Sequence, residues 1–146
     1  MTSFYNVVGR RGVRGGGVDP LPEDVRRFID GNIESIDQLE ILRVLGEDPR
    51  QGWSAVALAG EVQAPPEAVT RHLAALQARG LLAAESREAG AEYRYGQNTP
   101  ELAALVDRLL QLYRERPVTM IKLVYARAKD PLRTFADAFR LRKEGP

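Results

Sequence analysis

The 146-residue chain has no cysteine, a single histidine and no apolar run approaching a membrane span, which needs about 18 or more residues. The first absence excludes a disulfide framework, a thiolate zinc site and a cysteine nucleophile, and the second excludes a multi-histidine metal cluster. The first twenty residues hold three arginines and many glycines, but not the apolar stretch of a secretory signal. No metal or other cofactor and no membrane contact are therefore expected, and the expected location is the cytoplasm. Catalytic patterns are missing too. Gly15, Gly16 and Gly17 neither follow a strand pattern nor open a helix as a phosphate-cradling loop does, and no carboxylate pairs in pattern with the histidine. An enzyme is not expected.

What remains is one domain's length, with 44% hydrophobic and 28% charged residues, enough to bury a core in water. The net charge of +1 conceals a segmented layout. Residues 1–18 carry Arg10, Arg11 and Arg14 and no acid, whereas residues 19–50 hold nine acids against four arginines. Residues 51–96 hold five acids, four arginines and no lysine, and residues 117–146 hold seven bases against three acids. The chain has basic ends and an acidic early segment.

Glycine and arginine dominate Gly9 to Gly17, so residues 1–21 read as a flexible arm with no continuous apolar face. Such an arm is either an unstructured terminus or an arginine tail that follows a nucleic-acid groove. From Pro22 the pattern is helical: Val25, Phe28 and Ile29 share a face, and Gly31 and Asn32 supply a stop. Ser35 and Gln38 form a capping-box pattern for a second, largely apolar helix through Leu45, expected to be central and to stop at Gly46. Ser54 caps a short helix to Val62 whose Ala55, Ala57, Ala59 and Gly60 would let another helix approach closely. Pro66 opens the next helix and Gly80 closes it. Within it Val69, Leu73 and Leu76 form one stripe, opposite Glu67, Thr70, Arg71, Ala74, Ala75 and Ala78. Residues 81–96, with a loop at Arg87 to Gly90 and the Tyr93, Arg94, Tyr95 alternation, read as a hairpin.

Thr99 and Pro100 open a long helix with a stripe of Leu102, Leu105, Val106, Leu109, Leu112 and Tyr113, which Pro117 breaks or kinks. Residues 118–129 suit a buried helix or a strand, the former being preferred between two helical patterns. Asp130 and Pro131 begin a last helical pattern with Leu132, Phe135, Ala136 and Phe139 on one side.

The order helix, short helix, turn, amphipathic helix, hairpin over residues 35–96 makes the expected fold mainly α, a winged helix-turn-helix with a small β-hairpin wing and additional C-terminal helices. The run Val69, Thr70, Arg71, His72, Leu73, then Leu76, Gly80, Leu81 and Leu82, followed by the second wing strand, resembles the recognition helix and wing of MarR-like and ArsR-like bacterial transcriptional regulators. The resemblance covers some 60 of the 146 residues. It implies a DNA-binding regulator, with a recognition helix at about 66–80 and a wing at about 81–96. Because Val69, Leu73 and Leu76 anchor the helix, Pro66, Glu67, Thr70 and Arg71 would face a major groove, where Arg71 suits a bidentate pair with guanine. The resemblance also implies Arg87 and Arg94 as wing contacts. His72, beside the apolar stripe, suits either packing or phosphate contact, and it lacks the partner ligands that a metal would need.

Phosphate neutralisation supplies most affinity for a duplex, yet residues 51–96 are slightly acidic, with Glu67, Glu88 and Glu92 on the presumed binding face. A dimer with basic ends would compensate. The alternative is a non-catalytic winged helix that binds a protein partner.

The expected organisation is thus an arm at 1–21, a winged helix-turn-helix domain at 22–98 and a helical dimerisation region at 99–146. The expected partners are double-stranded DNA and a second copy of the chain, whose interface would use Leu109, Tyr113, Leu132, Phe135 and Phe139. Trp53, Tyr113 and Tyr125 are either core or the lining of a small apolar effector pocket.

Overall fold

The computed structural model describes residues 21–128, so the arm and the pattern beginning at Asp130, with Leu132, Phe135 and Phe139, lie outside the described residues. The elements run α1 (Glu23–Asn32), α2 (Ile36–Glu47), α3 (Ala55–Val62), α4 (Pro66–Ala78), β1 (Ala83–Arg87), β2 (Gly90–Arg94), α5 (Pro100–Glu115) and α6 (Pro117–Ala128). The two strands form an antiparallel hairpin, with Glu85 opposite Glu92 and Arg87 opposite Gly90. This is a winged helix-turn-helix with two further helices after the wing.

Helix α2 is the hub, because its buried side chains spread over most of its circumference and leave only a narrow charged strip of Asp37, Glu40, Arg43 and Glu47. Leu39, Ile41, Leu42 and Leu45 are fully buried, and α3, α4, α5 and α6 all pack on this helix. Each such burial stabilises by about 1.5–3 kcal/mol. Ser35 caps α2 as expected, its hydroxyl accepting from the Gln38 N–H at 3.3 Å. The reciprocal bond lands one residue earlier than a capping box would place it: Gln38 Oε1 accepts from the Glu34 N–H at 2.9 Å.

Two glycines behave differently from expectation. Gly46 does not stop α2, which continues to Glu47. A Cβ there would lie 2.8 Å from Leu110 Cδ1 and 3.3 Å from Tyr95 Cε1, so the missing side chain lets α5 and the end of the wing close on α2. Gly60 faces open space, and of the small residues on α3 only Ala59 is buried. The close approach thus occurs on α2 and not on the outer face of α3.

The stripe of α5 turns inward. Val106, Leu109, Leu110 and Tyr113 are buried against the rest of the chain, so Leu109 and Tyr113 are core residues and are not available as surface anchors for a dimer. Three polar contacts fix this helix at its middle and near its C-terminal end. Arg108 pairs with Asp24 of α1, the Tyr95 hydroxyl donates to Asp107 Oδ1 at 2.6 Å, and the Tyr113 hydroxyl donates to Glu40 of α2. Burial followed by the Glu40 contact pushes the Tyr113 phenol up to about 12. Burial raises Glu40 itself, but hydrogen bonds from Arg43 and Tyr113 outweigh that and leave its carboxyl below the ordinary range.

Pro117 ends α5 and opens α6, and the segment after it is helical as preferred. Met120 and Val124 are buried, while Val118, Ile121 and Tyr125 stand in an exposed apolar row at helical spacing. The three aromatic residues Trp53, Tyr113 and Tyr125 have different neighbours. Trp53 bridges to Tyr93, Tyr113 reaches Glu40, and Tyr125 lies beside Val124, Ile36 and Asp37.

Two outcomes follow. Gly46→Val should lower stability by about 1–3 kcal/mol in urea unfolding, because the added methyls collide with Leu110 and Tyr95; a gain in stability would refute the close approach. Tyr113→Phe should cost about 0.5–1.5 kcal/mol near neutral pH. Glu40 is depressed, so its share is complete above the ordinary carboxylate range and is lost as pH falls through its folded value. Tyr113 is raised, so its share is complete below about pH 10 and fades as pH rises toward 12. The gap between the unfolding curves of the two chains should narrow as pH falls through the Glu40 value and should close as pH rises from about 10 toward 12.

Candidate nucleic-acid interface

Helices α3 and α4 with the turn between them form the helix-turn-helix. Ser54 caps α3 by accepting from the Ala57 N–H at 3.1 Å, and Gln63 turns the chain in the left-handed conformation (φ 60°). Pro66 then begins α4 where a missing N–H costs nothing. Val69, Leu73 and Leu76 are fully buried and hold one face of α4 against α2 and α3. The end of α4 is a Schellman closure: Leu81 N–H bonds to Leu76 O at 3.0 Å, and Gly80 N–H to Gln77 O at 2.9 Å. Gly80 takes φ +74°, and a Cβ there would run into Asn98, 2.5 Å from its Nδ2.

A buried polar junction sets the orientation of α4. Gln38 is fully buried, and its amide is oriented by the Glu34 N–H, which needs an oxygen as partner. Nε2 therefore points to His72 Nδ1, 3.2 Å away. An amide nitrogen only donates, so Nδ1 accepts and the ring proton of the neutral tautomer sits on Nε2, facing Asp37 Oδ2 at 3.8 Å. His72 thus turns toward α2, away from the outer face of α4. Just past Leu76, Arg79 reaches Asn32 O at 2.9 Å and pairs with the Glu34 carboxylate, tying the end of α4 to the end of α1.

The outer face of α4 holds Pro66, Glu67, Thr70, Arg71, Ala74, Gln77 and Ala78, all exposed. Arg71 makes one long contact with the Glu67 carbonyl, 3.5 Å, and its guanidinium is otherwise turned to solvent. Four of the expected contact residues, Pro66, Glu67, Thr70 and Arg71, are therefore brought together on one accessible surface. His72 is not among them.

The wing differs from the simple expectation of two free arginines. Side chains alternate across a strand, so Glu85, Arg87, Glu92 and Arg94 share one face, while Tyr93 lies on the other and pairs with Trp53 through backbone bonds of 2.7 and 2.8 Å. Arg87 lies 2.8 Å from Glu85 and 3.2 Å from Glu92; Arg94 lies 2.7 Å from Glu92 and also donates to the Arg50 carbonyl at 2.9 Å. Both wing cations are engaged within the protein.

Gln38, Arg79, Glu85 and Glu92 were not singled out for these roles by the sequence. For Gln38 a signal existed, a polar residue at a helical position surrounded by apolar ones. For the wing the signal was the two-residue spacing of Glu85 with Arg87 and of Glu92 with Arg94, which places four charges on one side. Among the described residues, no cluster of three or more His, Asp or Glu side chains is placed to hold a metal ion, and no helix is long and apolar enough to cross a membrane.

The fold is that of a winged helix-turn-helix protein. Among solved structures, the chain is similar to the transcriptional regulator HlyU from Vibrio vulnificus at 24% identity, over 62% of this chain and 88% of that one, with a TM-score of 0.47. It is similar to a MarR-family transcriptional regulator from Silicibacter pomeroyi at 20% identity, over 82% and 76%, with a TM-score of 0.47. It is also similar to a mutant of MepR from a multidrug-resistant S. aureus clinical isolate at 12% identity, over 84% and 88%, with a TM-score of 0.49. No family model matches the chain, and no curated protein does. At such identities and scores the likeness transfers no residue's role to this chain.

The buried junction is open to a direct test. Gln38→Leu should cost about 1–3 kcal/mol, since it strands the Glu34 N–H and His72 Nδ1 without a partner. Urea unfolding of the two chains measures it, and an unchanged midpoint would show that the amide is dispensable.

Proposed function

We propose that this protein is a non-catalytic, DNA-binding transcriptional regulator that inserts α4 into a major groove. The observation that carries the reading is the two-sidedness of α4. One face is locked by Val69, Leu73, Leu76 and the His72 contact, and the other sets Thr70, Ala74 and Ala78 beside a guanidinium that makes no ion pair among the described residues. Short residues permit close approach to base edges, and Arg71 fits the bidentate pattern of guanine. Thr70, Pro66 and Glu67 flank it at the start of the helix. In this reading His72 acts as a support for α4, and any contact it makes with phosphate is secondary.

The protein works as a homodimer in the cytoplasm. A two-fold assembly presents two α4 helices to successive turns of a duplex, and the exposed row Val118, Ile121 and Tyr125 supports a second copy docking along α6. The division into an arm at 1–21, a binding domain at 22–98 and a dimerisation region at 99–146 is kept, with the stripe of α5 reassigned to the core. A second reading, a winged helix that binds a protein, is favoured by the engaged wing arginines and by exposed Glu67.

Fluorescence anisotropy with duplexes at low and moderate salt separates the two. Arg71→Ala should weaken duplex binding about 5- to 100-fold, the range expected for losing a bidentate base contact, and the wild-type affinity should fall steeply with salt. Absence of wild-type duplex binding at low salt, with sedimentation reporting a monomer, would sink the proposal in favour of the protein-binding reading.

A further inference from the structure

The wing carries two glutamates in direct register, Glu85 opposite Glu92 on the same face of the hairpin. Like charges facing one another across a strand pair repel, and a hairpin that places them so needs cations beside them. Arg87 and Arg94 supply these. They lie on the same face, two residues from Glu85 and Glu92 respectively, and the four side chains form a charge-balanced quartet.

The two carboxylates contribute unequally. Glu85 is largely exposed, contacting Arg87 at 2.8 Å and Arg94 only at 4.0 Å. Glu92 is half-buried and holds both guanidiniums, at 3.2 and 2.7 Å. Its carboxylate is seated over Gly52, where a Cβ would fall 2.3 Å from Glu92 Cδ, so the glycine leaves the space that the clamp occupies. Arg94 is restrained further by the Arg50 carbonyl at 2.9 Å.

We propose that Glu92 governs how strongly the wing grips a nucleic-acid backbone: it keeps Arg87 and Arg94 on the hairpin and withholds them from phosphate. This deepens the duplex-binding reading and rests on it. A phosphate that recruits either arginine must break its contact with Glu92 and leave that carboxylate facing Glu85 with one counter-charge fewer. Glu92 thus acts through the arginines and is a positioning residue. With Glu88 in the hairpin loop, the wing carries three acids against two arginines and offers a duplex no net attraction, so discrimination falls to α4.

The test is Glu92→Gln, which keeps shape and acceptor oxygen but removes the charge. Duplex binding should tighten about 3- to 30-fold at low salt, with the slope of log K against log salt steeper by about 1 to 2, the increment of one or two added phosphate contacts. The steeper slope is a readout that a merely structural role for Glu92 would not produce. Two controls accompany it: Glu92→Gln combined with Arg87→Ala and Arg94→Ala should lose the gain, and Glu101→Gln, the same change of charge outside the wing, should show little of it. Circular dichroism melts confirm that each variant is folded. If the wild-type chain binds duplex and Arg71→Ala weakens it, but Glu92→Gln leaves affinity and slope unchanged, the inference is overturned and the duplex-binding reading stands. A gain that survives removal of both arginines, or that Glu101→Gln matches, overturns it as well. No duplex binding by the wild type and by Glu92→Gln alike overturns the underlying reading and this inference with it.

Discussion

The arrangement of the domain depends on a buried amide. Gln38 lies at the start of α2 with no solvent exposure, and each of its polar atoms is committed, Oε1 to the Glu34 N–H and Nε2 to His72 on α4. An apolar residue there would fill the space but would fix neither the chain entering α2 nor the rotation of α4 about its own axis. Hydrophobic contact is non-directional, so Val69, Leu73 and Leu76 tolerate some rolling of the helix, whereas a hydrogen bond does not. The Arg79 contacts with Asn32 and Glu34 set the far end. With its middle and its C-terminal end constrained, the outer face of α4, Arg71 included, points in one direction.

The same logic extends to the helices after the wing. Tyr95, Arg108 and Tyr113 tie α5 to the end of the wing, to Asp24 on α1 and to Glu40 on α2, while its leucines fill the space above α2. Burial, then the hydrogen bond to Asp107, holds the Tyr95 hydroxyl well above the ordinary tyrosine range, so this contact persists across neutral pH. The wing returns into α5 through Tyr95, which also lies against Gly46 of α2. The hairpin is therefore rooted in the core at its base, and its charged face stands outside it.

Most of the helices were legible because periodicity and caps agreed. Ser35, Ser54 and Thr99 each accept a backbone N–H three residues on, as their positions before apolar runs suggested, and Pro66, Pro100 and Pro117 each open a helix. What was not legible is which apolar stripe is buried and which stays largely exposed. The stripes of α5 and α6 look alike in sequence, yet Leu109 and Tyr113 are buried while Val118, Ile121 and Tyr125 are not. That choice depends on where α2 presents Gly46 and its leucines, a tertiary fact that pattern alone does not carry. Likewise Gly46 resembled a stop signal. Helix α2 tolerates it because packing against Leu110 and Tyr95 outweighs the roughly 1 kcal/mol that glycine costs in a helix.

Net charge by segment does not decide attraction for a duplex; the partners of each cation do. A count over residues 51–96 treats Arg71, Arg87 and Arg94 as equal. The structure separates them: Arg71 meets only a backbone carbonyl at long range, and the other two are bound to carboxylates. A guanidinium contributes to attraction for a polyanion only to the extent that it is free of a competing anion, since the phosphate must displace whatever holds it. In the proposed role, the net acidity of this domain then has a definite consequence. General affinity for phosphate has to come from the basic segments outside the winged helix, whereas the α4 face, with one available cation among short side chains, is better suited to telling sequences apart than to holding any duplex tightly.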